Sequence, residues 1–380
     1  MSQGPFKGSA MKSAKSLGIQ STSSGSTSSR AQNTGSHHGP LQTIRGAHKT
    51  IAKERAAKVD TSATGFLRNR TVRNECTRKL YTDAVAKFKL FAVTLGAMLM
   101  CISDVDSALE KYFESLFIQG SSQYVASCTL CGWAFLNPSM STKPRHHFPL
   151  AKAALKGWKN LEPGGSKDPC PYEVALMIAG WFLDKGLVLM AAFVVLCFDT
   201  YVRPGVMSLL KRSNVLTPAP HVHAGYKHWS IVLAPSTEGQ PTKVGEYDDS
   251  LIVGSKGREW ISKVLEKQWR TTLPDALLFS FFLRDIEVQF KLAAKALGLE
   301  SLKLSPHTLR HGGPSHDVYF ELRNLAEVQR RGCWKSPASV KRYEKHACLQ
   351  RQLNKLQPAQ QESARQAALS VPARLLRMLG

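Results

Sequence analysis

Between Pro163 and Pro171 the chain reads Pro-Gly-Gly-Ser-Lys-Asp-Pro-Cys-Pro. Neither a helix nor a central strand runs through such a stretch. Proline removes backbone donors and fixes φ, and glycine loses the most conformational freedom on ordering. Apolar residues recur with helical spacing on both sides of it. The sequence therefore falls into two halves, each of which must bury a core of its own.

In the first half Tyr81, Val85, Phe88 and Phe91 return at three- and four-residue steps, the mark of an amphipathic helix. Further helices are expected at Asp104–Phe117 (with Gly120 after it), Tyr124–Phe135 and Ala151–Trp158. The second half opens with two expected helices, about Tyr172–Leu183 and Leu187–Asp199. The apolar run Gly186–Phe198 follows Asp184-Lys185 and is closed by Asp199. It falls short of the roughly 18 apolar residues a membrane span needs, so it reads as a buried core helix, and no membrane is expected as a partner. His228–Leu233 and Ser250–Val253 read as strands with Gly and Pro between them. Helices follow at Arg258–Arg270 and about Asp285–Leu297, the latter closed by Gly298. Leu349, Leu353 and Leu356 have helical spacing, and Pro358 is expected to stop that run. The fold class expected is mainly α with a small antiparallel β-sheet. A helical domain over 71–165 precedes a mixed α/β domain over 170–355, and 356–380 is a C-terminal tail.

Lys and Arg total 51 against 28 Asp and Glu, a formal net charge of +23. Such a balance favours polyanionic partners, nucleic acid first, with membrane surfaces and acidic proteins open on charge alone. The basic Ser/Gly-rich segment 1–70 has little to bury and is expected to be disordered. A DNA-contacting arm, a nuclear-import segment, an organelle transit peptide and a merely solvated leader all fit it. Nothing near the start has the apolar run of a secretory signal. The eight cysteines sit mostly in apolar or helical segments, which fits reduced intracellular thiols. Cys128 and Cys131 form one C-x-x-C, with His146-His147 further on, but a zinc site normally needs a second pair at suitable spacing. No metal and no cofactor is expected.

The last third carries the chemistry. His307-Thr308-Leu309-Arg310-His311 is followed by Gly332-Cys333-Trp334 and then by Tyr343, nine residues past the tryptophan, with Ser336-Pro337 expected to open a helix running through Lys341-Arg342-Tyr343. Arginine grips phosphate through two parallel hydrogen bonds. An indole N–H is a donor without an acceptor. A tyrosine phenol can act as a nucleophile and form a covalent intermediate. Upstream, Thr200-Tyr201-Val202-Arg203-Pro204-Gly205 sets Arg203 just ahead of a proline suited to a first helical turn. Taken singly, each residue has a plain structural role: a tyrosine half-buried in packing, a His-x-x-Arg sharing one helix face, an Arg-Pro-Gly turn. The spacing is what joins them.

The set resembles the active site of tyrosine recombinases, the phage-integrase-type DNA breaking-rejoining enzymes. Their pattern is His-x-x-Arg-His, then a Gly followed by His or Trp, then a Tyr nine residues on. The resemblance extends over residues 71–355 and is closest over 300–345. It implies a helical core-binding domain, ending near Phe148–Trp158, and a catalytic domain, the two closing as a clamp on double-stranded DNA. It implies catalytic roles for Arg203, His307, Arg310 and Trp334 around a phosphate, with Tyr343 as nucleophile. The product would be a 3′-phosphotyrosyl link and a free 5′-hydroxyl. Lys243, on the expected hairpin, would protonate the leaving oxygen, with Lys227 as rival. A dimer or tetramer on DNA and a mobile-element origin are implied as well, while the basic arm makes an intracellular, nuclear location the expected one, with organelle import open.

Two positions depart from the family. Val206 stands three residues after Arg203, where the family usually has an acid that orients the site. Gly312-Gly313-Pro314 directly after His311 is expected to break or kink the helix. The departures leave open a catalytically impaired DNA-binding relic. A type IB topoisomerase shares the chemistry, and a basic structural protein binding nucleic acid through its arm is a further alternative.

Overall fold

The computed structural model describes residues 69, 71–72, 74–140, 148–163, 168–238, 245–254 and 257–380. The basic arm, save residue 69, lies outside the described residues, as do Lys243 and His146-His147. The chain divides after Pro163 into two compact units. The fold is mainly helical with a small antiparallel sheet, as the patterns require.

The first unit contains α1 (Glu75–Thr94), α2 (Ile102–Ile118), α3 (Gln123–Leu136) and α4 (Pro149–Leu161). The Asn74 side chain caps α1 by accepting from the Cys76 amide at 2.9 Å, satisfying a donor that a helix start leaves open. The apolar stripes meet in one core of Val85, Phe88, Leu109, Phe113, Trp133 and Trp158. Phe88 and Trp133 pack edge to face at 5.5 Å, a preferred ring geometry. Asp106 is buried, yet both its oxygens are used. They accept from the Leu150 and Ala151 amides at 3.0 and 2.9 Å, so a carboxylate on α2 caps the start of α4. Cys128 and Cys131 lie on α3 as free thiols, the first buried and the second exposed.

The second unit begins with α5 (Tyr172–Asp184) and α6 (Val188–Thr200). Every residue of α6 from Met190 to Thr200 is buried, so the apolar run is a core helix with no solvent face. A four-residue turn, α7 (Pro204–Met207), leads to the sheet of β1 (Val215–Leu216), β2 (Ser230–Leu233) and β3 (Asp249–Ile252). Its order is β1-β2-β3, antiparallel, with Ile231 opposite both Val215 and Leu251. These three side chains are buried in the main core. Next come α8 (Trp260–Thr271), α9 (Leu283–Ala296), α10 (Pro306–Tyr319), α11 (Leu325–Arg331), α12 (Ala347–Leu353) and α13 (Pro358–Met378). No helix among the described residues is long and apolar enough to cross a membrane.

Three local expectations are corrected. Gly312-Gly313-Pro314 does not break α10, which runs through all three residues. A Cβ at Gly312 would overlap the Cys170 carbonyl, and one at Gly313 the Phe198 carbonyl. The glycines therefore admit neighbouring backbone, and the helix is held by that packing. The helix expected through Lys341-Arg342-Tyr343 is instead two short 3₁₀ turns, Pro337–Ser339 and Lys341–Glu344. Finally, Pro358 does not end a helix but opens a 21-residue one, since proline at the first position gives up no needed donor.

That last helix is no tail. Val371, Leu375 and Ala364 are buried in the main core, and Val371 Cγ2 would lie 3.2 Å from a Cβ at Gly180 on α5. Gln360 donates to the Leu297 and Gly298 carbonyls at 3.0 Å each, and Arg374 pairs with Asp184. Each fully buried Val or Leu contributes about 1.5–3 kcal/mol. Ending the chain at Gln357 is expected to cost the second unit about 3–6 kcal/mol from Val371 and Leu375 alone, a large part of a typical domain's stability. Chemical denaturation of the shortened chain checks this, and an unchanged midpoint would refute the packing role.

Candidate active site

The site is assembled where α6 ends and α10 begins. Tyr201, the first residue past α6, takes φ 58°, which turns the chain toward Arg203, extended ahead of the Pro204 turn. On α10, His307, Arg310 and His311 stand at three- and four-residue steps and share one face. The glycine face of the same helix rests on the backbone at Cys170 and Phe198. Residues 201–203 and 307–311 are thus brought together by backbone contact.

Arg310 is 5% exposed. Its guanidinium donates to the Tyr201 carbonyl and, at 2.8 Å, to the Gly332 carbonyl. It also lies over the Trp334 ring at 4.5 Å. Burial lowers its pKa to about 10, and the like charge of Arg203 pushes the same way. Two guanidinium groups kept this close favour an anion between them. Gly332 has a steric reason to be glycine, because a Cβ there would overlap the Trp334 ring.

Tyr343 is 2% exposed and packs with Tyr201, Val328 and Val340. Its ring lies 5.3 Å from that of Trp334. Burial raises its pKa to about 12, against the pull of Arg342 and Arg310. The hydroxyl oxygen lies 3.1 Å from Nδ1 of His311. The His311 ring in turn meets that of His307 edge to face at 5.1 Å.

Beneath these groups is a buried ion network. Asp317, fully buried, accepts from the Tyr201 hydroxyl, from Arg323, and from Arg258 at 2.7 and 3.1 Å. Asp199, also fully buried, accepts from Arg258 at 3.0 Å, Arg331 at 2.9 Å and the Gly254 amide at 2.9 Å. Burial alone would raise the Asp317 pKa, but Arg258 and Arg323 hold it below the usual carboxylate range. The network fixes Tyr201, whose carbonyl takes the Arg310 hydrogen bond.

Two cavities flank Arg203. One, of about 210 Å³, is lined by Arg203, Arg310, Val206, Asp249 and Cys333. The other, of about 600 Å³, is lined by Arg203, Val206, Lys291, Ser305 and His307. Among the described residues, no hydrogen bond or ion pair engages the Arg203 guanidinium. One oxygen of Asp249 is buried without a hydrogen-bond partner. Cys333 lies near both, its thiol raised to about 11 by burial and by Asp249.

Of the residues singled out in the sequence, Arg203, His307, Arg310, Trp334 and Tyr343 fall in one neighbourhood through these contacts. Lys243 lies outside the described residues, and Lys227 is exposed ahead of β2. Val206 is half-buried against the main core and lines both cavities. His311, Asp199, Asp317, Arg258 and Arg331 were missed. His311 had a signal, being one turn past His307. The buried pairs made by Arg258 and Arg331 had none, because a partner more than 50 residues away leaves no local pattern.

No protein-family model matches the chain, and no curated protein matches it. Among solved structures it is similar to the Tn1549 transposon integrase in complex with circular intermediate DNA. There the TM-score is 0.44 at 13% identity, over 70% of this chain and 94% of that one. It is also similar to a single-substitution form of that integrase in complex with transposon right end DNA. In that case the TM-score is 0.42 at 11% identity, over 74% of this chain and 99% of the other.

Proposed function

We propose that the protein is a tyrosine recombinase, a DNA strand transferase that cuts and rejoins double-stranded DNA through a covalent link to Tyr343. The observation that carries the reading is the gathering of a buried phenol, two arginines, two histidines and an indole within one neighbourhood of a strongly basic chain. Arg203 and Arg310 neutralise the non-bridging oxygens and stabilise the added charge of the pentacovalent transition state. His307 and Trp334 stand beside them as donors. Tyr343 attacks phosphorus, leaving a 3′-phosphotyrosine and a free 5′-hydroxyl, and Lys243 supplies the proton to the leaving oxygen. Attack by a different 5′-hydroxyl exchanges strands. The partners that follow are duplex DNA and further copies of this chain, as a dimer or tetramer on that DNA. A mobile element acting in the nucleus is the setting proposed.

The test is trapping on nicked suicide DNA, whose cut strand diffuses away and strands the intermediate. A protein–DNA adduct that survives denaturation is the expected result. DNA binding without any adduct from the parental chain would instead identify a DNA-binding relic, with Val206 in the acid's place as its mark.

Affinity for duplex DNA is expected to fall steeply with salt. Each neutralised phosphate contributes a slope of roughly −0.9 in log K against log salt, so about six contacts give roughly −5. Removing residues 1–60, nine Lys and Arg against two acids, flattens the slope without abolishing binding. Titrations at several salt concentrations measure it, and an affinity nearly indifferent to salt would count against DNA as the partner.

A further inference from the structure

We infer that His311 is a catalytic residue of its own, the group that takes the phenolic proton of Tyr343 as the bond to phosphorus forms. The inference rests on the strand-transfer reading above and adds a step which that reading leaves without an agent.

The need for such a group comes from burial. With its pKa near 12, on the order of one phenol in 10⁵ is ionised at pH 7. A nucleophile that is almost wholly protonated needs a base within hydrogen-bond reach. The surroundings of the hydroxyl narrow the choice. Arg310 and Arg342 are cations that can only donate. Trp334 presents an indole, also a donor only. The Tyr201 hydroxyl is committed to Asp317. Among the described residues, Nδ1 of His311 lies 3.1 Å from the phenolic oxygen and, in the tautomer protonated at Nε2, can accept its proton.

The layout divides the labour between two histidines on successive turns of α10. His307 lines the larger cavity with Arg203 and Lys291, on the phosphate side. His311 faces the phenol. Arg310 between them in sequence grips the backbone at Tyr201 and Gly332. One helix therefore carries both the phosphate-side groups and the base for the nucleophile, and its glycines leave it little room to shift.

In the step itself the Tyr343 O–H bond breaks and its proton passes to Nδ1 of His311. The phenolic oxygen bonds to phosphorus, and the bond from phosphorus to the 5′ oxygen breaks. That oxygen takes a proton from the acid assigned above, Lys243. On rejoining, the 5′-hydroxyl gives its proton back to the neutral Lys243 amine and attacks phosphorus, the bond from phosphorus to Tyr343 breaks, and the imidazolium returns its proton to the phenolate. No oxidant, metal or nucleotide enters the balance.

The experiment uses the full chain, suicide DNA and three proteins: parental, His311→Asn and His311→Ala. Asparagine keeps a polar contact to the phenol but has no site basic enough to take up its proton. Adduct formation by His311→Asn is expected to slow by about 10²- to 10⁴-fold, with DNA affinity unchanged because His311 faces the tyrosine. Added imidazole is expected to restore part of the rate to His311→Ala. Adduct formation by His311→Asn at the parental rate would overturn the assignment while leaving the strand-transfer reading intact. A parental chain that makes no adduct removes both. Nitrogen NMR of His311 gives a readout independent of cleavage. Nδ1 is expected to be unprotonated in the neutral imidazole and to shift in Tyr343→Phe. A proton resident on Nδ1 would rule it out as the acceptor.

Discussion

Tyr343→Phe is expected to give a folded protein that binds DNA like the parent and forms no covalent adduct. The ring supplies the packing, and phenylalanine keeps it against Tyr201, Val328, Val340 and Trp334. What is lost is one hydroxyl and its contact with His311, about 1 kcal/mol for an ordinary hydrogen bond. No neighbour takes over as nucleophile. Tyr201 is fully buried with its hydroxyl on Asp317, and the Cys333 thiol, raised to about 11, is protonated at neutral pH. Suicide-DNA trapping beside a binding titration checks both halves. Adduct at the parental level from the phenylalanine variant would refute the choice of nucleophile.

Asp317→Ala is expected to be the most damaging single change to stability. The carboxylate serves Arg258, Arg323 and the Tyr201 hydroxyl in a site closed to water. Removing one partner of a buried charge set costs about 3–5 kcal/mol, because the remaining charges stay buried without their counter-ion. The pH dependence follows from the lowered Asp317 pKa. A carboxyl held below its unfolded value contributes stability that is whole above about pH 4 and is lost as pH falls through the folded value. The gap between parent and variant should therefore be widest near neutrality and narrow in acid below that. Urea unfolding at pH 7 and pH 3 measures both, and a variant within 1 kcal/mol of the parent at pH 7 (about the worth of one ordinary hydrogen bond) would contradict the role given to the network.

How much of this was legible in the sequence depends on whether the cause is local. Helices in both units announced themselves through apolar period, and α5 and α6 fell within a residue or two of their expected ends. Strands β2 and β3 were read from alternation and short apolar runs. Arg203, His307, Arg310, Trp334 and Tyr343 could be singled out because their spacing matches a family's pattern, and the structure brings them into one neighbourhood. Long-range causes were not. The run at Gly312-Gly313-Pro314 reads locally as a breaker, and only contact with the Cys170 and Phe198 carbonyls explains why it is a helix. Pro358 reads locally as a stop, and only the core that receives α13 shows it to be a start. The segment bearing Tyr343 has helical composition, yet buried Val340 and Tyr343 fit closely spaced 3₁₀ turns.

The two glycines of α10 also bear on how freely such a sequence can drift. Where helices meet through large side chains, each substitution in the contact changes their separation, and a site spanning them shifts with it. Here α10 comes against the backbone at Phe198, near the end of α6, with the Phe198 and Tyr201 rings beside the contact. The gap from Arg203 to His307, Arg310 and His311 is then set in large part by main-chain atoms, which every sequence shares. Leucines, valines and phenylalanines elsewhere in the core can exchange over generations while that gap stays put. Gly312 and Gly313 cannot join in. In a lineage of such proteins, variation should pile up through the core and stop short at this pair.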